Sequence, residues 1–158
     1  MTDLTHVDEN GNAVMIDVSA KADTERVAVA TGSIEMNEAA YRAVTERRMK
    51  KGDVLTVSQI AGIMGTKRTA DLIPLCHPIA LTNAKIWYEM KDAKRTICVF
   101  CEARTCGKTG VEMEALTGVT VTLLTIYDMC KAVDKAMRIT DVHLVEKRGG
   151  KSGDFVYE

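Results

Sequence analysis

The sequence predicts an α+β domain in which an antiparallel sheet carries helices on one face, as in a split βαβ, ferredoxin-like sandwich. The main observation is the order of the predicted elements: strand, helices, strand, strand, helix, strand. Composition agrees, because 46% of the 158 residues are hydrophobic and 27% are charged, which is typical of a globular chain. The length suits a single α+β domain, predicted over residues 23–158, preceded by a polar arm over residues 1–22.

The domain is predicted to open with a strand and a helix. Residues 27–36 are rich in the small and β-branched side chains that favour a strand. Asn37 follows and is a good N-cap, so a helix is predicted from there to about Met49. Gly52 then interrupts the helical pattern.

A second helix is predicted from the spacing of Thr56 and Gln59, which matches a capping box, and it should run towards Leu72. The two prolines of the chain, Pro74 and Pro78, come next. Proline fixes its own φ and biases the preceding residue towards extended geometry. The residues between them should therefore form a short, stiff turn.

The remaining elements are two strands, a long helix and a last strand. The strands are predicted near residues 80–91 and 95–104, and the helix over about 110–137. The last strand is predicted near 141–147 and leads into a glycine-rich, basic segment. This completes the order on which the fold prediction depends.

Charge and composition exclude several classes of function. The net charge is -1 and only 4% of residues are aromatic, which argues against nucleic acid and acidic membranes as partners. No apolar run reaches the roughly 18 residues of a membrane-spanning helix. The first residues lack the basic-then-apolar order of a signal peptide. We therefore expect a cytoplasmic protein.

Cysteine usage points the same way. An odd count without a secretory signal fits reduced thiols in the cytosol. Cys98 and Cys101 have the spacing of a metal or redox pair, but positions three apart on a strand face opposite ways. We expect no metal site there and interpret both as small buried side chains. The five cysteines are Cys76, Cys98, Cys101, Cys106 and Cys130.

The long helix carries ionisable residues in an otherwise apolar stretch. Glu114, Asp128 and Lys131 fall on one face at about 100° per residue. Asp128 and Lys131 are either a solvated ion pair or an acid/base pair that lines a pocket. The apolar neighbours Ile126 and Met129 favour partial burial and hence the pocket.

Two further residues have both a structural and a functional interpretation. Glu112 can complete a capping box with Thr109, or it can lie beside an anion that the helix N-terminus and Lys108 attract. His77 can be structural, or it can bind a ligand from its proline-braced turn. We do not expect Cys76 and His77 to act as a nucleophilic pair, because sequence neighbours seldom face one another.

Scattered cations could gather around a phosphate-bearing ligand. Each alone is ordinarily a surface group, but the glycine-rich segment 147–154 could fold over phosphates. The alternative for this segment is a frayed, charged tail. The candidate cations are Lys21, Arg26, Lys108, Lys147 and Lys151.

Several long segments, in order and over nearly the whole chain, resemble the cyclic pyranopterin monophosphate synthase family. A twelve-residue match through His77 and an eleven-residue match from Gly107 are too long to arise by chance. The matching segments are 15–21 with Thr24 and Arg26, 51–54, 60–64, 67–78, 107–117, 124–133 and 149–155.

The resemblance implies an enzyme, a lyase of molybdenum cofactor biosynthesis. Its substrate would be (8S)-3′,8-cyclo-7,8-dihydroguanosine 5′-triphosphate, and its products cyclic pyranopterin monophosphate and pyrophosphate. It implies a ferredoxin-like fold and a homohexamer, built as a trimer of dimers with active sites at subunit interfaces. No cofactor is implied as required, and Mg²⁺ bound with the triphosphate stays an open alternative.

The resemblance also implies roles for individual residues. Asp128 matches the catalytic aspartate, and Lys51 and Lys131 match lysines that serve in acid/base catalysis. Such a lysine works near neutral pH only if its pKa falls, which neighbouring cations would cause. The positions implied or inferred to bind substrate are Leu75, Cys76, His77, Glu112, Met113, Glu114, Lys21, Arg26, Lys108, Lys147 and Lys151.

The main competing hypothesis is a non-catalytic module that binds a nucleotide or pterin in the same pocket. The chain departs from the family pattern at helix positions away from the site, notably in the glycine- and threonine-rich residues 118–124. A binding module would need the cations but not Asp128, whose carboxylate would repel phosphates.

Overall fold

A computed structural model describes residues 6–151 and 153–158 of the chain. The first five residues of the predicted arm and Ser152 of the glycine-rich segment lie outside the described residues. Residues 6–22 contain the isolated bridge Val7–Ala13 and join the first strand of the sheet. In the described part of the chain, no helix is long and apolar enough to cross a membrane.

The sheet has five strands in the order β2-β3-β1-β4-β5, and all neighbouring strands pair antiparallel. β1 and β2 therefore run parallel with β3 between them, which is the split βαβ arrangement that the element order predicts. The α+β prediction with helices on one face is confirmed. The strands are β1 (Thr24–Glu35), β2 (Leu81–Lys91), β3 (Thr96–Gly107), β4 (Arg138–Arg148) and β5 (Phe155–Val156).

Four α-helices connect the strands. A short 3₁₀ turn, Asp92–Lys94, joins β2 to β3. The helices are α1 (Glu38–Thr45), α2 (Val54–Thr66), α3 (Thr69–Leu72) and α4 (Glu112–Cys130).

The core lies between α4 and the central strands. Ala28 and Ala30 of β1 face the same side of the sheet as Cys101 and Ala103 of β3, and all four are fully buried. Small side chains on the strands let α4 approach the sheet closely. The buried α4 residues recur at helical spacing, as an amphipathic helix requires. They include Ala115, Val119, Leu123, Ile126 and Cys130.

The start of α2 differs from the prediction. Asp53 is the N-cap and its Oδ1 accepts a hydrogen bond from the Thr56 backbone N–H at 3.1 Å, so the helix begins at Val54. Gln59 does not complete a capping box, because its Nε2 donates to the Ile86 carbonyl at 2.7 Å. The Thr56–Gln59 signal was therefore wrong: tertiary contact with β2 takes the Gln59 side chain.

Other helix ends also differ. Asn37 caps α1 as predicted, but α1 ends at Thr45 and Arg47 adopts a φ of 53°. The second predicted helix is broken after Thr66 into α2 and α3. α4 ends at Cys130, short of the predicted residue 137. In the turn that follows, the buried Asp134 accepts a hydrogen bond from the Asn37 backbone N–H at 2.7 Å, which ties this turn to the start of α1.

The backbones of α2 and α4 approach closely where both carry glycine. A Cβ on Gly62 would collide with the side chains of Thr122 and Ile86 and would lie 2.9 Å from the Gly118 carbonyl oxygen. A Cβ on Gly118 would lie 2.6 Å from the Cys101 sulfur. Part of the glycine- and threonine-rich stretch 118–124 therefore serves this helix contact.

Candidate active site

A cavity of about 440 Å³ opens where β1 and β4 meet the N-terminus of α4, and we call it the cationic cavity. Six cationic side chains and one carboxylate, that of Glu112, line it. In a chain with a net charge of -1 this concentration of positive charge is local. It suits a ligand with several negative charges. The six cations are Lys21, Arg26, Lys108, Lys147, Arg148 and Lys151.

Arg26 fastens the loop that precedes α4. Its Nε donates to the Gly107 carbonyl at 2.9 Å and its Nη2 to the Lys108 carbonyl at 3.2 Å. Gly149 and Gly150 lie over it with φ of 84° and 87°. A Cβ on Gly150 would collide with the Arg26 guanidinium. Arg26 therefore shapes the cavity and keeps further N–H donors for a ligand.

The N-terminus of α4 faces the cationic cavity without a side-chain cap. Val111 is the N-cap residue and makes no capping hydrogen bond. Glu112 instead lies 3.2 Å from the Lys147 ammonium, so of its two interpretations the capping box with Thr109 is not the one that forms. Uncapped N–H groups and the helix dipole both favour an anion at this end.

A second cavity of about 280 Å³, the turn cavity, adjoins the first and shares Lys21, Thr109, Gly110 and Glu112 with it. Leu75, Cys76 and His77 of the proline-braced turn form one wall. Met113 and Glu114 of α4 form another.

Glu114 is the most deeply buried carboxyl of the turn cavity, with 3% of its surface exposed. Its Oε2 is buried and has no hydrogen-bond partner among the residues that the structure describes. Burial raises the pKa of Glu114 to about 7. Burial and the nearby Glu114 charge also raise the pKa of Cys76, so the thiol of Cys76 is poorly suited to act as a nucleophile.

Lys51, Asp128 and Lys131 meet at the other end of α4, and we call them the Asp128 trio. Asp128 Oδ1 lies 2.7 Å from the Lys131 ammonium, and Oδ2 lies 3.7 Å from that of Lys51. Lys51 also donates to the Asp128 carbonyl at 3.1 Å. The two lysines come from separate elements and converge on one carboxylate, as the resemblance implies.

The trio is exposed in the single chain, which contradicts the expected partial burial of Asp128. The side chains of Asp128, Lys131 and Lys51 are 61%, 53% and 50% exposed. Ile126 and Met129 face the core, so these apolar side chains do not shield Asp128 from solvent.

The pKa values reflect this exposed ion pairing. The Lys131 hydrogen bond, with the charges of Lys131 and Lys51, lowers the pKa of Asp128. Asp128 in turn raises the pKa of Lys131. Neighbouring cations were expected to lower it, and in the isolated chain that expectation was wrong because the carboxylate dominates.

The trio and the turn cavity lie far apart along α4. Fourteen residues separate Glu114 from Asp128, which is about 21 Å at the helical rise of 1.5 Å per residue. A small ligand in the turn cavity of one chain therefore cannot reach Asp128 of the same chain.

Comparison with known proteins gives a match over most of the chain. The model of the MoaC family matches residues 15–150. The chain belongs to the MoaC family. It is 60% identical to the cyclic pyranopterin monophosphate synthase of Rhodospirillum rubrum over 150 residues, which are 95% of this chain and 90% of that protein. It is 53% identical to the cyclic pyranopterin monophosphate synthase of Heliobacterium modesticaldum over 158 residues, which are 100% of this chain and 99% of that protein.

The predicted site residues of this MoaC chain thus fall into three groups. The cationic cavity holds Lys21, Arg26, Lys108, Glu112, Lys147 and Lys151, and the turn cavity holds Leu75, Cys76, His77, Met113 and Glu114. The Asp128 trio forms the third group.

Sequence reasoning missed several lining residues of the MoaC chain. Ile16, Val18 and His6 of the N-terminal arm line the turn cavity, and Arg148 lines the cationic cavity. The alternation of Ile16 and Val18 with polar residues in an otherwise polar arm was the available signal. The described residues contain no group of three or more His, Cys, Asp or Glu side chains placed to hold a metal ion.

Proposed function

We propose that this chain is a cyclic pyranopterin monophosphate synthase, a lyase that makes cyclic pyranopterin monophosphate and pyrophosphate from (8S)-3′,8-cyclo-7,8-dihydroguanosine 5′-triphosphate. The observation that carries the proposal is the pair of adjoining cavities, one strongly cationic and one with mixed apolar and polar walls. The names of both relatives support the same reaction.

Each of the two cavities binds the part of the substrate that its lining residues suit. The triphosphate occupies the cationic cavity, which is lined by Lys21, Lys108 and Lys147 together with the N-terminus of α4. The ring system occupies the turn cavity between the 75–77 turn and α4. Volumes of about 440 and 280 Å³ lie in the range of sites for small molecules and cofactors.

The Asp128 trio supplies the acid/base chemistry from a second chain. Ring opening, ring closure and pyrophosphate departure each move protons. Asp128 holds the Lys131 ammonium, and its carboxylate can accept a proton from it, which leaves Lys131 as a neutral amine. Covering the trio with a partner would remove water and bring in cationic neighbours, which together lower the pKa of a lysine.

We propose a homohexamer, built as a trimer of dimers with interface sites, and a site shared by two chains is consistent with it. Val57, Ile60 and Met64 are three or four residues apart on α2 and are 43%, 55% and 59% exposed. Leu124 of the adjacent helix α4 is exposed as well. Exposed apolar side chains in such a row indicate a surface that another chain covers.

We also infer that the protein works in the cytoplasm. All five cysteines are free thiols, with Cys101 and Cys130 buried and Cys106 exposed. Free thiols are typical of a reducing compartment.

The proposed function is tested by incubating the full chain with the cyclised dihydro-GTP and detecting the pterin product and pyrophosphate by mass spectrometry. We expect Asp128→Asn to bind the substrate with near-normal affinity and to lose at least about 100-fold in turnover. Asp141→Asn is the matched control, because Asp141 is exposed on β4 with a φ of 56° that asparagine tolerates.

Two outcomes would contradict the proposal. If the wild-type chain binds the substrate and releases no product, the chain is a non-catalytic nucleotide- or pterin-binding module. If Asp128→Asn turns over as fast as Asp141→Asn, the acid/base role of Asp128 is wrong.

A further inference from the structure

Residues 14–21 of the N-terminal arm, which we call the strap, run along the turn cavity outside any helix or strand and end in a turn at residues 18–21. Ile16 and Val18 are half-buried there, while Met15 between Val14 and Ile16 is 48% exposed. The arm ends with Lys21, which lines both cavities. The course of this strap therefore decides whether the turn cavity has a wall on that side and where the Lys21 ammonium lies.

Side-chain hydrogen bonds fasten the strap to the rest of the chain at two backbone carbonyls. His77 Nε2 lies 2.7 Å from the Ile16 carbonyl oxygen. The Lys108 ammonium donates to the Ser19 carbonyl at 2.7 Å. A carbonyl oxygen can only accept, so His77 Nε2 carries the hydrogen in this bond.

His77 is well placed for such a role because its own backbone is constrained. Pro74 and Pro78 flank the turn, and the Cys76 backbone N–H donates to the Ile73 carbonyl at 3.1 Å. The imidazole is half-buried and projects from this stiff turn to the strap. The strap, in contrast, belongs to no strand of the sheet.

We propose that His77 is a positioning residue, which holds the strap as a wall of the turn cavity by donating Nε2–H to the Ile16 carbonyl. The inference rests on the proposed function for its consequence, because a loosened strap removes Ile16, Val18 and Lys21 from the substrate. In this proposal His77 acts on the substrate indirectly, by holding the strap in place, and does not transfer a proton to the substrate.

The strap itself provides a readout that needs no substrate. The Lys21 backbone N–H donates to the Val18 carbonyl at 3.0 Å, and that of Ser19 donates to Asp17 Oδ1 at 2.8 Å. The Ser19 amide lies between the two fastened carbonyls along the chain, and the Lys21 amide lies two residues beyond the second. Their hydrogen exchange in the unliganded full chain should report how firmly the strap is held.

The experiment compares His77→Ala, His77→Gln and His143→Ala. We expect His77→Ala to speed amide exchange at Ser19 and Lys21 by about three- to tenfold, as loss of one hydrogen bond would. His77→Gln should restore much of the protection, since the glutamine amide can donate to the same carbonyl. His143 lies on β4, where its ring packs at a tilt of 40° against that of Tyr157, so His143→Ala should leave the strap unchanged.

Kinetics then separate positioning from chemistry. With substrate, His77→Ala should raise KM by about tenfold and lower kcat by less than about threefold, and His77→Gln should recover most of the lost KM. Unchanged exchange at Ser19 and Lys21 in His77→Ala would overturn the proposal. Loss of kcat that His77→Gln does not rescue would also overturn it. If the wild-type chain forms no product, the proposed function fails, whereas the exchange experiment still decides the role of His77.

Discussion

Two carboxyl groups of α4 show how strongly the local surroundings shift the pKa of a carboxyl group. Glu114 is buried with an unpaired oxygen, and burial raises its pKa to about 7. Asp128 is exposed between two ammonium groups, and they lower its pKa. Near neutral pH, Glu114 therefore exists in both protonation states while Asp128 is ionised. A proton donor and a fixed anion are available from the same helix.

Glu114→Gln should change the pH dependence of stability in a defined direction. Below the ordinary value of 4.5 the carboxyl is neutral in the folded and unfolded chains. Between pH 4.5 and about 7 the unfolded chain releases this proton while the folded chain still holds it, so the wild type loses stability over that range. Glutamine avoids this cost. At pH 8 the variant should be more stable by about 2 to 3 kcal/mol, and near pH 4 the difference should vanish.

Urea unfolding of both proteins at several pH values measures this difference. Glu89→Gln is the control, because Glu89 is an exposed residue paired with Lys91. A stability difference between wild type and Glu114→Gln that stays constant from pH 4 to 8 would show that Glu114 keeps an ordinary pKa.

For single residues, the sequence predicted which side chains belong to the candidate site better than it predicted whether each one is buried. The helical spacing placed Glu114, Asp128 and Lys131 on one side of the helix. It could not tell that the 75–77 turn buries one end of that side while the other end stays exposed. That distinction depends on contacts between residues far apart in sequence, which periodicity does not contain.

Among the elements, α2 and α4 pack so closely that there is no room for a Cβ at their glycines. Gly62 and Gly118 let the helices approach until Thr122 and the Gly118 carbonyl lie where a larger residue would place its Cβ. The same contact explains why these helices tolerate residues of low helix propensity.

Gly62→Ala should destabilise the chain by roughly 2 to 4 kcal/mol, because the added methyl group must displace a backbone carbonyl and two side chains. Gly107→Ala is the matched control, since its Cβ would meet only the Thr105 hydroxyl at an ordinary 3.7 Å. Thermal and urea unfolding measure both. Equal, small effects would show that the helices can move apart without loss.

The elements themselves were largely predictable, whereas their ends were not. Strand composition and the Asn37 cap located β1 and the start of α1. The capping box predicted from Thr56 and Gln59 does not form because Gln59 bonds to Ile86. The capping box that was one of two interpretations of Glu112 does not form either, because Glu112 pairs with Lys147. A capping signal specifies what a side chain can do locally and not which distant group will compete for it.

For the whole molecule, the length of α4 is decisive. It holds the turn cavity and the Asp128 trio about 21 Å apart, which supports the proposal that each site draws on two chains. A two-fold interface that sets the beginning of one α4 beside the end of another would complete two equivalent sites.

Mixed assemblies test this arrangement directly. Chains with Asp128→Asn and chains with Lys108→Ala and Lys147→Ala should each be inactive. Co-expressed at equal levels, they should recover activity at about one quarter of the sites, where Asp128 of one chain meets the intact cavities of the other. Each variant alone is the control. Activity that stays at the level of the separate variants would mean that every site is built within one chain.

The pair Gly149–Gly150 also limits how this protein can be redesigned. Any side chain at these positions would meet the Glu25 carbonyl or the Arg26 guanidinium, and both residues have φ values that side chains disfavour. Engineering for a bulkier or smaller substrate should therefore leave this loop intact. Ile16 and Val18 offer the better starting points, since both line the turn cavity with half-buried side chains and neither needs a positive φ.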